Sequence, residues 1–233
     1  MTVPTPTRDA GGAGQPRGGQ IRSLARIGAV AGMVAGPLFL VASALQMPLY
    51  DEFDLTKHPF SVLSIGEHGW LQQVNFVVTG CLFILSAPAF VHGLGGRAGR
   101  WGGALAALLG AGKIVAGIFV VDPAYGFPAG TPAGPAEQVS ASSSAHGLGF
   151  AVSMIAWVVL LFMAGRRLNS RGQHRLAWIS RGVAVALLTV PPFLMATSFG
   201  SVVLYVVLPT AYLVTTAVVL KLIAPASTVG RRS

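Results

Sequence analysis

The chain has 233 residues, of which 53% are hydrophobic and only 10% charged, with a mean hydropathy of +0.67. Soluble domains are about one-quarter charged, so this composition excludes a water-soluble enzyme and a disordered chain. The net charge of +9 would suit a nucleic-acid binder, but the placement of the charges gives it another meaning. Cys81, the single cysteine, rules out an intrachain disulfide and a cysteine-based zinc site.

Apolar stretches run over Ile27–Met47, Trp70–Val91, Trp101–Val121, Gly147–Ala164, Val183–Phe199 and Val202–Leu222. Each is close to the ~20 residues that carry a helix across ~30 Å of hydrocarbon. The last two are separated only by the Ser198–Ser201 region, and together are too long for one crossing, which predicts a tight hairpin. The expected fold is therefore all-α, an integral membrane bundle of six transmembrane helices. Residues 1–20 read as a disordered tail, 21–223 as the membrane domain and 224–233 as a short second tail. Prolines 37, 191, 192 and 209 fall inside the expected helices and predict kinks.

Fourteen of the sixteen basic residues lie in four segments: 8–26, 97–100, 166–181 and 221–232. The intervening segments hold six of the seven acids, namely Asp51, Glu52, Asp54, Glu67, Asp122 and Glu137. By the positive-inside rule both termini are cytoplasmic, and the outer loops fall at 48–69, 122–146 and 198–201 of a protein in the inner (plasma) membrane. The excess of arginine is a topology signal, so nucleic acid is not an expected partner; the lipid bilayer is.

Lys113 is the one ionisable residue deep in an apolar stretch. It precedes Val121 by eight residues, or ~12 Å of helix, which sets it in the outer half of the membrane. A lysine at a helix centre costs ~2.5–3.5 kcal/mol on insertion scales, so such a residue normally faces protein or a polar cavity. Gly102, Ala106, Gly110 and Gly117 share its helical stripe and allow a neighbouring helix to come close. A structural pairing with Asp122 is the plainer alternative. In the first outer loop, Ser64 and Glu67 have the spacing of a capping box, and Trp70 suits the membrane interface. Gln72 and Asn75 fall in the first turns of the second helix, where they reach either a neighbouring helix or a ligand. Asp122 closes the third stretch, where an acid opposes the helix dipole, so capping explains it poorly. His58, His68 and His146 lie on the same outer side.

Aspartate and histidine at a water–membrane boundary suit acid–base or zinc chemistry. Asp122 is thus the expected acid or base, with His146 or His58 as its partner, and Lys113, Ser64, His68, Gln72 and Asn75 are the expected substrate-binding residues. Asp122, His146 and His58 are also the residues with metal-ligand chemistry. No H-E-x-x-H, H-x-x-E-H, Gly-rich phosphate loop or G-x-S-x-G is present, so a metal ion is not favoured. A lipid or isoprenoid-like amphiphile entering from the outer leaflet is the expected substrate of an enzyme. A transporter or ligand-binding protein using Lys113 and Asp122 as a pair is the alternative, and an accessory or structural role, in which these residues lock helices, is the third.

Two loop motifs carry a family likeness. One runs His58-Pro59-x-Ser61-x-Leu63-Ser64-x-Gly66-x-x-Gly69-Trp70-x-Gln72-x-x-Asn75-Phe76. The other runs Gly117-x-Phe119-x-x-Asp122-Pro123-x-x-Gly126-x-Pro128-x-Gly130, followed by a Ser-rich segment and His146-Gly147. Over about residues 25 to 222 the chain resembles a bacterial and archaeal membrane-protein family catalogued as domain of unknown function nine-nine-eight. The resemblance implies a multi-helix membrane bundle and assigns no activity.

Overall fold

The computed structural model of the protein describes residues 16–196 and 200–224. Among the described residues there are six α-helices: α1 (Pro16–Gln46), α2 (Gly69–Leu94), α3 (Gly96–Ile118), α4 (Ala141–Ser170), α5 (His174–Ala196) and α6 (Gly200–Ile223). No strand occurs among the described residues. Over its described residues each expected apolar stretch maps onto a different helix, the first and third stretches running past the helix end. α1 begins at Pro16, inside the segment expected to be a tail, whereas 1–15 and 225–233 lie outside the described residues. The hairpin expected at 198–201 is also largely outside them, and α5 and α6 flank it. Pro37 and Pro209 sit within α1 and α6 without ending either helix.

Among the described residues, five helices are long and apolar enough to cross a membrane, namely α1–α4 and α6. Their packing is what a bilayer demands. α1 turns Ile27, Val30, Val34, Leu38, Val41 and Leu45 outward while Ala29, Ala35, Phe39, Ser43 and Gln46 face in. Gln72, Asn75, Thr79, Lys113, Ser153 and Thr215 are buried too. An apolar exterior around small and polar side chains inverts the soluble pattern, because lipid tails offer no hydrophobic penalty to the outer face. Exposed Trp70 at one end, with Trp101 and Trp178 at the other, matches interfacial aromatic belts.

Each helix packs on its chain neighbours, and α6 returns to α1, so the six close into a ring. Backbones meet closely at α3. A Cβ on Gly80 of α2 would lie 2.6 Å from the Gly110 carbonyl oxygen, and one on Gly149 of α4 would lie 2.6 Å from that of Gly112. α3 is thus gripped on two sides within three residues, and the next residue is Lys113.

Candidate functional site

The segments 47–68 and 119–140 meet above one end of the bundle. Phe127 is fully buried in a small cluster with Tyr50, Val62 and Leu63, its ring edge-on to Tyr50 and Phe53. The Ala129 N–H donates to Glu52 Oε1 at 2.9 Å. His58 joins the two loops: its Nδ1 accepts the Asp54 N–H at 3.0 Å and its Nε2 lies 2.9 Å from the Tyr125 carbonyl. The first contact requires a lone pair on Nδ1, so Nε2 carries the proton and donates. Tyr205 of α6 donates to the His58 carbonyl at 2.7 Å, and Ser201 to that of Lys57 at 2.9 Å. His58 is 2% exposed, with both ring nitrogens engaged.

α3 ends three residues earlier than the apolar stretch suggested. Phe119 is already extended, and Asp122 lies beyond the helix, not at its C-terminus. Its Oδ2 accepts the N–H of Ser140 at 2.8 Å, and Ser140 is the N-cap of α4, where its hydroxyl takes the Ser143 N–H at 3.0 Å. An acid at a helix N-terminus is favoured by the dipole. The objection to a capping role therefore disappears, because tertiary folding hands Asp122 to the next helix. Hydrogen bonding from the Ser140 hydroxyl and then its N–H holds the carboxyl below the ordinary aspartate range. A depressed folded-state pKa contributes stability above the unfolded value, near pH 4, and loses it as pH falls through the lower folded value. Asp122→Asn should remain folded, with a thermal midpoint lowered by a few degrees near neutrality. That deficit should be constant from about pH 5 to 8 and shrink below about pH 4; thermal melts of both proteins across pH check it.

The remaining expected site residues divide between helix packing and a cavity. Ser64 does not form the capping box: its hydroxyl donates to the Ser61 carbonyl at 2.6 Å, and α2 starts later, at Gly69. His68 is exposed and its N–H donates to the Tyr50 hydroxyl at 3.0 Å. Gln72 and Asn75 turn toward α1. Gln72 exchanges hydrogen bonds with Ser43 at 3.2 and 3.0 Å and accepts from Gln46 at 3.0 Å. Asn75 Nδ2 reaches the Phe39 carbonyl, Ser43 and Gln72 at 3.0–3.2 Å. Such interhelical hydrogen bonds act as polar glue within a bilayer.

Lys113 and His146 do come together, as walls of one cavity of about 190 Å³ lined, Ser61 apart, by apolar residues such as Phe39, Phe60, Phe76 and Phe150. Lys113 is 6% exposed. Its Nζ lies 4.5 Å from the Phe39 ring centroid, 5.4 Å from Phe76 and 5.3 Å from Tyr212. Among the described residues it has no hydrogen-bond acceptor, and the only ion pair is Lys57–Asp54; Asp122 is not its partner. His146 is 5% exposed, and its Nδ1 approaches the carbonyls of Ala116 and Phe119 at 2.8 and 2.9 Å. Two acceptors require Nδ1 to carry the proton, so in the neutral ring Nε2 keeps a lone pair. Among the described residues no three of His, Cys, Asp and Glu gather as metal ligands would.

Phe39 and Tyr212 were not legible as site residues from the sequence. They reach Lys113 from α1 and α6, and only the closing contact of α6 on α1 unites them. A buried aromatic on a distant helix has no spacing signature relative to the charge it faces.

Apolar outer faces, polar interior contacts and several bilayer-length helices define a multi-pass α-helical membrane protein. The chain belongs to the family described as "Protein of unknown function (DUF998)", whose model matches residues 33–226. No curated protein and no solved structure matches it.

Proposed function

We propose that the protein binds an anionic, mainly apolar molecule, the head-group end of a lipid or isoprenoid-like amphiphile, in the cavity at Lys113. The observation that carries this reading is the Lys113 nitrogen: it stands among three aromatic rings, at the wall of an apolar cavity, with no acceptor among the described residues. Aromatic faces compensate a buried cation by ~0.5–2 kcal/mol, less than a carboxylate or phosphate supplies in the same low-dielectric setting. The cavity exceeds the ~150 Å³ that accepts a benzene-sized molecule, which is room for a head group and the carbons next to it. His58, Asp122, Ser64, His68, Gln72 and Asn75 then position the walls through their own hydrogen bonds. The basic ends of the helices support a cytoplasmic location for both termini, in the plasma (inner) membrane, with the cavity in the outer half.

An enzymatic reading draws on His146. Its Nε2 lone pair suits a general base on the ligand bound by Lys113, and Asp122 and His58 would act by holding the loops. The binding reading is tested in detergent-solubilised full-length protein by displacement titration with a long-chain carboxylate and the primary alcohol of equal length. The carboxylate should bind at least 10-fold tighter. Equal affinities would remove Lys113 from recognition, and conversion of an added ester to acid and alcohol, lost in His146→Ala, would favour the enzyme.

A further inference from the structure

At the opposite end of the bundle a second cavity, of about 450 Å³, is lined by Arg22 and Arg26 of α1, His92 of α2, Arg171 after α4, and Leu222 to Ala224. Its volume falls in the ~300–1,000 Å³ range of small-molecule sites. All six acids among the described residues lie in 51–67 and 122–137, at the other end, so no described carboxylate answers this charge.

The arginines differ in what the fold asks of them. Arg171 donates to the Lys221, Leu222 and Gly93 carbonyls at 3.2, 2.9 and 2.9 Å, and Arg167 reaches the Gly93 carbonyl at 3.3 Å. These are the final carbonyls of α2 and α6, so Arg171 and Arg167 satisfy two helix C-termini and their dipoles. Arg22 and Arg26 make no hydrogen bond or ion pair among the described residues. Spaced i,i+4, they repel one another, yet both point at the same cavity as Arg171. The same turns of α1 expose Ile21, Leu24 and Ile27, which sets the cavity at the edge of the apolar zone.

We infer that this cavity is a phosphate-ester site, formed by Arg22, Arg26, His92 and Arg171, that holds the head group of an anionic phospholipid of the leaflet on that side. Guanidinium groups converging from separate helices match the several oxygens of a phosphate. The exposed apolar turns beside them favour a phosphate tethered to the bilayer over a soluble one. The site is independent of the Lys113 cavity, so Lys113→Met should retain it.

The test uses full-length protein in nonionic detergent, with binding followed by native mass spectrometry for phosphatidylglycerol, phosphatidylcholine and inorganic phosphate. Phosphatidylglycerol should bind preferentially. At about 5-fold per surface arginine, Arg22→Gln/Arg26→Gln should weaken it ~25-fold, and Arg100→Gln on α3 should not. Arg22 and Arg26 are both exposed, so the double variant should melt as the wild type does without lipid; if it fails to fold, Arg26→Gln alone should read ~5-fold. Inorganic phosphate binding with the same variant dependence, and no lipid preference, would keep the anion site and reassign its ligand to a soluble phosphate. Equal retention of phosphatidylglycerol and phosphatidylcholine, or an unchanged affinity in the double variant, would overturn the site.

Discussion

Lys113→Met is expected to leave a folded protein that no longer separates a long-chain carboxylate from the alcohol of the same length. Methionine keeps the length and apolar stem of lysine and removes only the charged end. The charge costs ~2.5–3.5 kcal/mol to place within a membrane helix, and the Phe39, Phe76 and Tyr212 rings offset part of this, ~0.5–2 kcal/mol. Its removal should therefore leave the thermal midpoint unchanged or higher. Losing a desolvated charge partner costs 2 kcal/mol or more, so affinity for the carboxylate should fall by ~30-fold or more while the alcohol is unaffected. Titrations and melts on the same preparation decide the matter. Loss of folded protein would instead make Lys113 a structural residue, the third of the roles considered from sequence.

Gly112→Ala should be among the more damaging single methyl additions in the bundle. The added Cβ would meet the Gly149 carbonyl oxygen and Ser153 Oγ at 2.5 Å and the Ser153 N at 3.0 Å. Two of these atoms are helix backbone and cannot move aside alone. Overpacking typically costs ~1–3 kcal/mol, and a backbone clash at a helix crossing belongs at or beyond the upper end. Gly147→Ala provides the contrast: nothing lies within 4 Å of its Cβ, and alanine is better than glycine in a helix by ~0.8–1.0 kcal/mol. Thermal unfolding in detergent should show the first variant destabilised and the second level with the wild type or above it. Since Lys113 follows Gly112, the first variant should also lose ligand discrimination in whatever fraction remains folded.

Much of the fold was legible because its cause is local. Apolar runs of bilayer length mark the helices, and charge segregation marks their ends. The stripe of Gly102, Ala106, Gly110 and Gly117 predicts close approach to α3, and all three of these glycines face the backbone or side chains of α2, while Gly112 faces α4. Lys113 stood out by the cost of burying it, and the structure does bury it. Helix ends are less legible. The apolar run past Ile118 hides the end of α3, because Phe119, Val120 and Val121 are apolar yet belong to the loop that follows it. Ser64 and Glu67 had capping spacing, but the turn at Phe60–Ser64 uses the Ser64 hydroxyl internally.

By itself the sequence determined that the chain resides in a membrane, how many apolar stretches it offers, and which buried charge is costly enough to demand a reason, since each follows from transfer energy summed along the chain. Which residues share a cavity was decided only by tertiary structure. Lys113 and His146 meet because α3 and α4 cross at Gly112 and Gly149. Phe39 and Tyr212 join them because α6 closes on α1, and Asp122 is drawn away to the start of α4. Those outcomes depend on where backbones can touch, a property of helix pairs that is not written in the spacing of any one segment.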